Sequence, residues 1–208
     1  MLLPPALPTP HLILASSSAY RRDLLTRLCL PFKVVAPDID EQPWPGELPQ
    51  QTALRLARQK AATVARSHPE TLIIGSDQVA TLDREQIGKP GSHANALAQL
   101  QKMQGRTVMF HTALCLWDAR SVAPEAVQIG SVATAVTFRN LPEAALDAYL
   151  RIEQPYDCAG SAKNEGLGIA LIARIESSDP TALTGLPLIT LCDMLTKAGV
   201  GFFRFDSA

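Results

Sequence analysis

The sequence predicts an α/β fold with a mixed, elongated central sheet flanked by helices. In the first half of the chain, short apolar runs alternate with segments whose apolar residues have helical spacing. In the middle, two strand-like stretches at 106–117 and 127–138 follow each other around a loop at 123–124, which indicates paired strands. The 208 residues suffice for one well-packed core, and two lobes could share one sheet.

The elements of the first half follow from apolar spacing and from prolines. Leu24, Leu25 and Leu28 have the spacing of a buried helical face. Prolines forbid regular structure in 37–45, where three acids crowd together, so this segment is predicted as an irregular acidic loop. The predicted elements are a strand at 11–15, a helix at 20–30, a strand at 32–36, a helix at 49–67 and a buried strand at 71–77 that 79–82 extends.

The elements of the second half carry clearer end signals. Ser92 is predicted as the N-cap of a helix that Gly105 closes, and Pro142 as a first-turn residue of the next helix. A glycine-rich polar segment, 157–168, precedes the last strand. The predicted elements are a helix at 93–103, the strands at 106–117 and 127–138, a helix at 142–152, a strand at 169–175 and a helix at 187–197.

Composition limits the class of protein. Apolar residues make up 47% and charged residues 19% of the chain, and the formal net charge is −1, which is typical of a globular protein and argues against a nucleic-acid coat protein. The four cysteines are far apart, as expected of reduced core thiols rather than of a zinc site or a disulfide framework. No apolar run is long enough to span a membrane. We therefore expect a cytoplasmic protein with a flexible lead-in at 1–10 and a single domain at 11–208.

The segment His11-Leu-Ile-Leu-Ala-Ser-Ser-Ser-Ala-Tyr-Arg-Arg22 predicts a phosphate site. It reads as a strand that breaks into three hydroxyls and then begins a helix with two adjacent arginines. A helix N-terminus presents unpaired N–H groups, and serine hydroxyls with guanidinium groups bind anions there. The alternative is a serine-capped helix with two solvated arginines. Neither a Walker loop nor a dinucleotide fingerprint is present.

Acids and lysines elsewhere could complete such a site. Asp77 ends an apolar strand, where a carboxylate can hold a divalent cation or take a proton from water. The acidic segment 38–41 could supply a second metal ligand, and Lys60 and Lys89 could bind phosphate. Each of these residues alone is more often a turn aspartate, a solvated loop acid or a surface lysine. Together they are the components of a metal-assisted phosphate reaction.

Several motifs, in order, resemble the Maf family of nucleotide pyrophosphatases, and the resemblance spans residues 11 to 195. It is more specific than any single motif. The motifs are Leu14-Ala-Ser-Ser-Ser-Ala-Tyr-Arg-Arg22, Asp40-Glu41, Arg58-Gln-Lys-Ala61, Gly75-Ser-Asp-Gln78, Gly88-Lys-Pro90, Cys158-Ala-Gly-Ser161 with Glu165-Gly166, and Gly185-Leu-Pro-Leu188.

The resemblance implies hydrolysis of a nucleoside triphosphate between the α and β phosphates with a divalent cation, Mg²⁺ or Mn²⁺. It implies a fold similar to inosine triphosphate pyrophosphatases, with two lobes and a cleft between them, and it makes a homodimer plausible. By position, Asp77 matches the proton acceptor, and Glu41 with Asp77 matches the metal site, although Asp40 remains an alternative ligand to Glu41. The matching phosphate-binding positions are Ser16, Ser18, Arg21, Lys60 and Lys89.

At three further positions the chain resembles those members of the family that act on 7-methyl-GTP. Tyr20 supplies an aromatic face for a positively charged methylated guanine, Glu165 could accept hydrogen bonds from its N–H edge, and Gln78 could read the base. Two alternatives stay open. One is a pyrophosphatase of dTTP or UTP from the same family, and the other is a nucleotide-binding regulator of cell division that needs no turnover.

Overall fold

The computed structural model describes residues 11–83, 85–123 and 126–203. The expected lead-in at 1–10 and Pro124 of the expected loop lie outside these residues. The described strands are β1 (His11–Ala15), β2 (Phe32–Val35), β3 (Thr71–Leu82), β4 (Glu85–Ile87), β5 (Thr107–Asp118), β6 (Val127–Phe138) and β7 (Ile172–Ser177). The described α-helices are α1 (Ala19–Thr26), α2 (Pro49–Ala65), α3 (His93–Met103), α4 (Glu143–Glu153) and α5 (Leu188–Lys197), and 3₁₀ turns lie at Ala159–Ser161 and Leu167–Leu171.

The strands form one mixed sheet in the order β2-β1-β3-β5-β6-β7, with β4 paired to β3. β2, β1 and β3 run parallel, as expected where helices connect them. β3, β5, β6 and β7 run antiparallel, and the long ladder between β3 and β5 pairs Leu72 with Asp118 at one end and Thr81 with Met109 at the other. The expectation of an α/β fold on a mixed sheet is confirmed.

One face of the sheet is covered by α2. Small residues allow this helix to lie directly on β3, because Ala57 and Ala61 are fully buried against the strand. A Cβ added at Gly75 of β3 would lie 2.1 Å from the carbonyl oxygen of Ala57. This close approach sets the position of every side chain on the inner face of α2, including Lys60.

The other face carries two separate apolar cores. One packs α1 and α5 on the first half of the sheet, with Leu24 and Leu195 buried. The other packs α3 and α4 on the second half, with Leu100 and Leu150 buried. Two lobes therefore share one sheet and leave a cleft between them. In the part of the chain that the structure describes, no helix is both long and apolar enough to cross a membrane.

Local differences from the predicted elements have physical causes. α1 ends at Thr26 rather than at residue 30, because Cys29 adopts a left-handed φ of 54° and the chain leaves the helix. Pro142 is the N-cap of α4 rather than a first-turn residue. The predicted strand at 169–175 begins only at Ile172, because Leu167–Leu171 forms a 3₁₀ turn. The short strand β4 was not predicted.

Candidate active site

A cavity of about 670 Å³ opens between the two lobes. Its walls come from the end of β1, the start of α1, the middle of β3 and loops of both lobes. All ten residues for which the sequence predicts a site role line this cavity, while Asp40 does not. These residues are Ser16, Ser18, Tyr20, Arg21, Glu41, Lys60, Asp77, Gln78, Lys89 and Glu165.

Lys60 lies between the two predicted carboxylates. It is 5% exposed on the inner face of α2, and its Nζ is 2.6 Å from Oδ1 of Asp77 and 2.7 Å from Oε1 of Glu41. Among the described residues no donor reaches Oδ2 of Asp77. The carboxylate of Asp77 therefore keeps one oxygen for a water molecule, a metal ion or a proton.

Glu41 reaches this group from the exposed acidic loop. Burial opposes its ionisation, but the hydrogen bond and charge of Lys60, with the charges of Lys89 and Arg21, hold the pKa of Glu41 below its ordinary value. Its side chain keeps 57% of its surface exposed. Glu41 is thus an ionised carboxylate at the mouth of the cleft.

The serines after β1 begin α1 as the sequence predicts. Ser18 is the N-cap, because its Oγ accepts the N–H of Arg21 at 3.4 Å. Ser16 is 3% exposed, and its Oγ accepts the N–H of Ser18 at 3.1 Å. The capping alternative therefore holds for Ser18, and this cap also brings the N-terminus of α1 to the cavity wall.

The side chain of Arg21 is held by the segment that precedes α5. Its Nε donates to the carbonyl oxygen of Gly185 at 2.8 Å, and its Nη1 lies 3.5 Å from Oγ of Ser16. Burial lowers the pKa of the Arg21 guanidinium from its ordinary value, although the charges of Asp77 and Glu41 oppose this shift. A partly desolvated guanidinium attracts an anion more strongly than one in water.

Gln78 has its amide donors engaged by the protein. Its Nε2 lies 2.9 Å from Oγ1 of Thr112, 3.1 Å from the carbonyl oxygen of Ala182 and 2.9 Å from that of Leu183. Among the described residues no donor reaches Oε1. What Gln78 can offer a ligand is therefore an acceptor, which suits an N–H edge of a base.

Tyr20 and Cys158 meet across the cleft. The Sγ of Cys158 lies 3.7 Å from the hydroxyl oxygen of Tyr20. Burial first, and then the contact with Cys158, raise the pKa of Tyr20 well above its ordinary value, so the ring carries a neutral hydroxyl at pH 7. Glu165 is exposed in the same loop as Cys158, and Asn164 beside it donates to Oγ1 of Thr184 at 3.2 Å.

Lys89 is exposed, but the backbone around it is held by α3. Nε2 of Gln99 donates to the carbonyl oxygen of Gly88 at 3.1 Å, and Nδ2 of Asn95 donates to that of Pro90 at 2.9 Å. Lys89 therefore lines the cleft from a fixed backbone segment, and its charge acts on Glu41.

Two carboxylates of the cleft, those of Glu41 and Asp77, are available to a divalent cation. Within residues 11–83, 85–123 and 126–203, no group of three or more His, Cys, Asp or Glu side chains could hold a metal ion. Glu41 and Asp77 fit Mg²⁺ or Mn²⁺ only as two carboxylates that share the ion with phosphate oxygens and water. Asp40 lines a separate cavity beside Trp44 and Arg55, and its Oδ1 accepts the N–H of Gln42 at 3.0 Å.

The sequence analysis assigned no role to two buried hydroxyl groups that contact the backbone of residues 182 and 185. Ser76 is fully buried on β3, and its Oγ lies 2.9 Å from the carbonyl oxygen of Gly185. Thr112 is fully buried on β5, and its Oγ1 donates to the carbonyl oxygen of Ala182 at 2.9 Å. Ser76 lies in the motif Gly75-Ser-Asp-Gln78 and Gly185 in the motif Gly185-Leu-Pro-Leu188, but nothing in the sequence shows that these distant segments meet.

Comparisons with known proteins identify the family of this chain. The profile of the family described as Maf-like protein matches residues 11–198. The chain is 63% identical over 194 residues to a 7-methyl-GTP pyrophosphatase of Cupriavidus metallidurans, covering 93% of this chain and 96% of that protein. It is 64% identical over 194 residues to a protein of the same name from Ralstonia nicotianae, with 93% and 98% covered. A solved structure of the Staphylococcus aureus Ham1 protein is similar in fold, with a TM-score of 0.50 at 13% identity, covering 91% of this chain and all of that one.

Proposed function

Because this chain belongs to the family of Maf-like proteins, we propose that it is a nucleoside triphosphate pyrophosphatase that hydrolyses 7-methyl-GTP to 7-methyl-GMP and diphosphate. Relatives at 60–64% identity over most of the chain are named 7-methyl-GTP pyrophosphatase. Removal of a modified nucleotide is the biological role that follows from such an activity.

The observation that carries the proposal is the position of Lys60 between Asp77 and Glu41 in the wall of the cleft. A buried ammonium group with two carboxylates supplies both a proton acceptor and a cation next to one reacting phosphate. A simple nucleotide-binding pocket needs cations for the phosphates but has no use for two carboxylates that repel them.

The proton and the leaving group are assigned to this chain's own residues. The oxygen of a water molecule forms a bond to phosphorus while Oδ2 of Asp77 accepts its proton. The bond between the phosphorus of the α phosphate and the bridging oxygen breaks, and diphosphate leaves with the electron pair. Arg21, Lys60 and Lys89 offset the negative charge that develops on that diphosphate.

The hydroxyl segment after β1 orients the phosphate chain. Ser16 and Ser18 border the N-terminus of α1, where backbone N–H groups and the helix dipole favour an anion. Arg21 keeps its Nη groups free of strong partners among the described residues, because only its Nε has a short contact. These donors are therefore available to phosphate oxygens.

A divalent cation is part of the proposal. Glu41 and Asp77 would hold it together with substrate phosphates, as Mg²⁺ prefers. When bound, such an ion polarises the phosphoryl oxygens and neutralises charge. Because the ammonium of Lys60 contacts both carboxylates, we expect Glu41, the more exposed of the two, to adjust its side chain when the ion is present.

We assign base recognition to Tyr20, Gln78 and Glu165, which also line the cleft. Methylation at N7 makes guanine cationic, and the face of Tyr20 attracts a stacked cation by about 0.5–2 kcal/mol. The free Oε1 of Gln78 and the carboxylate of Glu165 accept hydrogen bonds, which suits the N–H edge of guanine. Glu165 also offsets the positive charge of the methylated base.

Compartment and assembly complete the proposal. The four cysteines are free thiols, which supports a reducing compartment, the cytoplasm. A homodimer is included in the proposal because the resemblance to the Maf family makes it plausible. Sedimentation velocity tests the homodimer: twice the 22.4 kDa of one chain is expected, and 22.4 kDa at micromolar concentration contradicts it.

Product analysis tests the reaction. Incubation of the protein with 7-methyl-GTP and Mg²⁺ should yield 7-methyl-GMP and diphosphate in equal amounts, separated by ion-exchange chromatography. A chelator should stop the reaction, and added Mg²⁺ should restore it. Formation of 7-methyl-GDP and inorganic phosphate instead would show cleavage at the other bridging bond and overturn the proposal.

A further inference from the structure

Asp179 is a carboxylate, 1% exposed, in the segment between β7 and α5. Its Oδ1 accepts the N–H of Thr181 at 3.0 Å and the hydroxyl of Thr181 at 2.7 Å. Its Oδ2 accepts the N–H groups of Ile189 at 2.8 Å and Thr190 at 3.4 Å, in the first turn of α5. Because these donors and the helix dipole offset the cost of burying its charge, Asp179 is a fixed point of the structure.

Thr181 joins the two ends of the segment that follows. Its Oγ1 lies 2.8 Å from the carbonyl oxygen of Leu186 and accepts the N–H of Leu188 at 2.8 Å. Residues 182–185, which we name the carbonyl loop, are thereby closed at the base by Asp179 and Thr181. A loop closed in this way has few conformations left to it.

The carbonyl loop binds side chains of the cleft through its backbone oxygens. The carbonyl oxygen of Gly185 accepts the Nε of Arg21, and those of Ala182 and Leu183 accept the amide of Gln78. Gly185 has a φ of +110°, which favours glycine, and an added Cβ would lie 3.5 Å from Nε of Arg21. The direction of its carbonyl is therefore specific to this backbone conformation.

A fixed Nε decides what an arginine can do. The guanidinium is planar, so anchoring Nε leaves the two Nη groups in one defined plane, where they can bind phosphate oxygens in pairs. Without this hydrogen bond, rotation about the side-chain torsions would leave the two Nη groups without a defined direction towards the phosphate oxygens. A misplacement of about 1 Å can cost roughly a hundredfold in rate.

We propose that Asp179 is a positioning residue, which orients the guanidinium of Arg21 towards the triphosphate by holding the carbonyl loop. This inference rests on the proposed phosphate role of Arg21 and adds a residue that touches neither substrate nor metal. Asp179 acts through Thr181, the backbone of the loop and the carbonyl oxygen of Gly185.

The first test replaces the acceptor groups. Asp179→Asn turns an NH₂ group towards backbone N–H groups, so the base of the loop loosens. We expect kcat/KM for 7-methyl-GTP to fall roughly tenfold to a hundredfold. Thr181→Val should have a similar effect and Thr181→Ser, which keeps the hydroxyl, should restore most of the activity. If Asp179→Asn does not fold, the comparison of Thr181→Val with Thr181→Ser tests the proposal.

The matched control is Asp193→Asn, the same substitution at an exposed residue of α5, which should leave kcat/KM unchanged. A double-mutant cycle then separates positioning from general stability. In an Arg21→Lys background there is no guanidinium to orient, so Asp179→Asn should lower kcat/KM by a clearly smaller factor than in the unaltered protein, the remaining loss coming from Gln78, whose amide the same loop holds. An equal fold-loss in both backgrounds overturns the proposal.

Binding separates this inference from the proposed function. The α,β-methylene analogue of 7-methyl-GTP cannot be cleaved between its α and β phosphates. Calorimetry with this analogue measures Kd for the same four proteins: unaltered, Asp179→Asn, Arg21→Lys and the double variant. If the protein binds this analogue but releases no diphosphate from 7-methyl-GTP, the activity is wrong and the Kd cycle still decides on Asp179. If it does neither, Arg21 has no phosphate to bind, and both proposals are overturned.

Discussion

Nζ of Lys60 lies 2.6 Å from Oδ1 of Asp77, although one residue is on a helix and the other on a strand. Both side chains are nearly buried, with 6% and 10% of their surface exposed. Removing one partner of such a pair leaves the other charge uncompensated, which costs more than the pair contributes when intact. Because Lys60 is on α2 and Asp77 on β3, the distance between their charged groups depends on how closely α2 packs on β3.

Gly75→Ala tests that dependence. The added Cβ would lie 2.1 Å from the carbonyl oxygen of Ala57, so α2 must move away from β3 and carry Lys60 with it. We expect a loss of about 1–3 kcal/mol or more in the free energy of unfolding, measured in urea, together with lower turnover. Gly201→Ala is the control, because nothing lies within 4 Å of its Cβ position. Equal stability of both variants would contradict the described packing.

Tyr20 should discriminate methylated from unmethylated guanine. Tyr20→Leu removes the aromatic face, and we expect the ratio of kcat/KM for 7-methyl-GTP to that for GTP to fall roughly 2- to 30-fold. Tyr20→Phe keeps the face and loses only the hydroxyl near Cys158, so it should keep the ratio. A ratio that is the same in both variants and the unaltered protein would rule out stacking of the cationic base on this ring.

Glu165 should act on the same ratio by charge. Glu165→Ala removes an acceptor and a negative charge, so turnover of 7-methyl-GTP should fall much more than turnover of GTP. Glu165→Gln keeps an acceptor oxygen, and steady-state kinetics should show a smaller loss for it. Equal losses on both nucleotides would exclude a base-reading role for Glu165.

Glu47 should make stability depend on acid pH. The pKa of Glu47 is lowered from its ordinary value of 4.5 to about 2. The largest cause is a bidentate ion pair with Arg55, and hydrogen bonds from Trp44 and Thr52 add to it. A lowered folded pKa adds stability above 4.5 that is lost as the pH falls towards 2. The difference in unfolding free energy between the protein and Glu47→Gln should therefore be largest at neutral pH and shrink below 4.5.

The control for this prediction is Glu176→Gln, since Glu176 pairs with Arg174 at the surface, where 56% and 69% of the two side chains are exposed. Exposed pairs contribute little, so this variant should be nearly as stable as the unaltered protein at every pH. If Glu47→Gln were equally harmless at neutral pH, the ion pair that anchors the acidic loop to α2 would have no energetic role.

The sequence predicted those elements whose signals are local. α3 begins after Ser92 and ends before Gly105, as predicted, because a serine cap and a glycine with φ of 64° act within a few residues. α1 was predicted too long because the left-handed conformation of Cys29 carries no sequence signal. β4 was missed because three residues are too few for a periodic pattern.

Within the candidate site, residue types could be predicted but their partners could not. Gln78 binds carbonyl groups 104 and 105 residues away, so the orientation of its amide is set by the tertiary fold alone. Asp179 stands beside a proline in a polar segment that reads as a surface turn, and only the structure shows it to be buried. Both depend on backbone oxygens, which a sequence does not display.

Diphosphate release from a panel of 7-methyl-GTP, GTP, dTTP, UTP and CTP, with Mg²⁺ or Mn²⁺, tests the central claim most directly. The same panel is run with Asp77→Asn, which keeps the shape of the side chain and removes the proton acceptor, and with Asp193→Asn as the matched control. We predict a clear preference for 7-methyl-GTP, lost in Asp77→Asn and kept in Asp193→Asn. Preference for dTTP or UTP would contradict the assigned substrate, and unchanged turnover in Asp77→Asn would contradict the assigned proton acceptor.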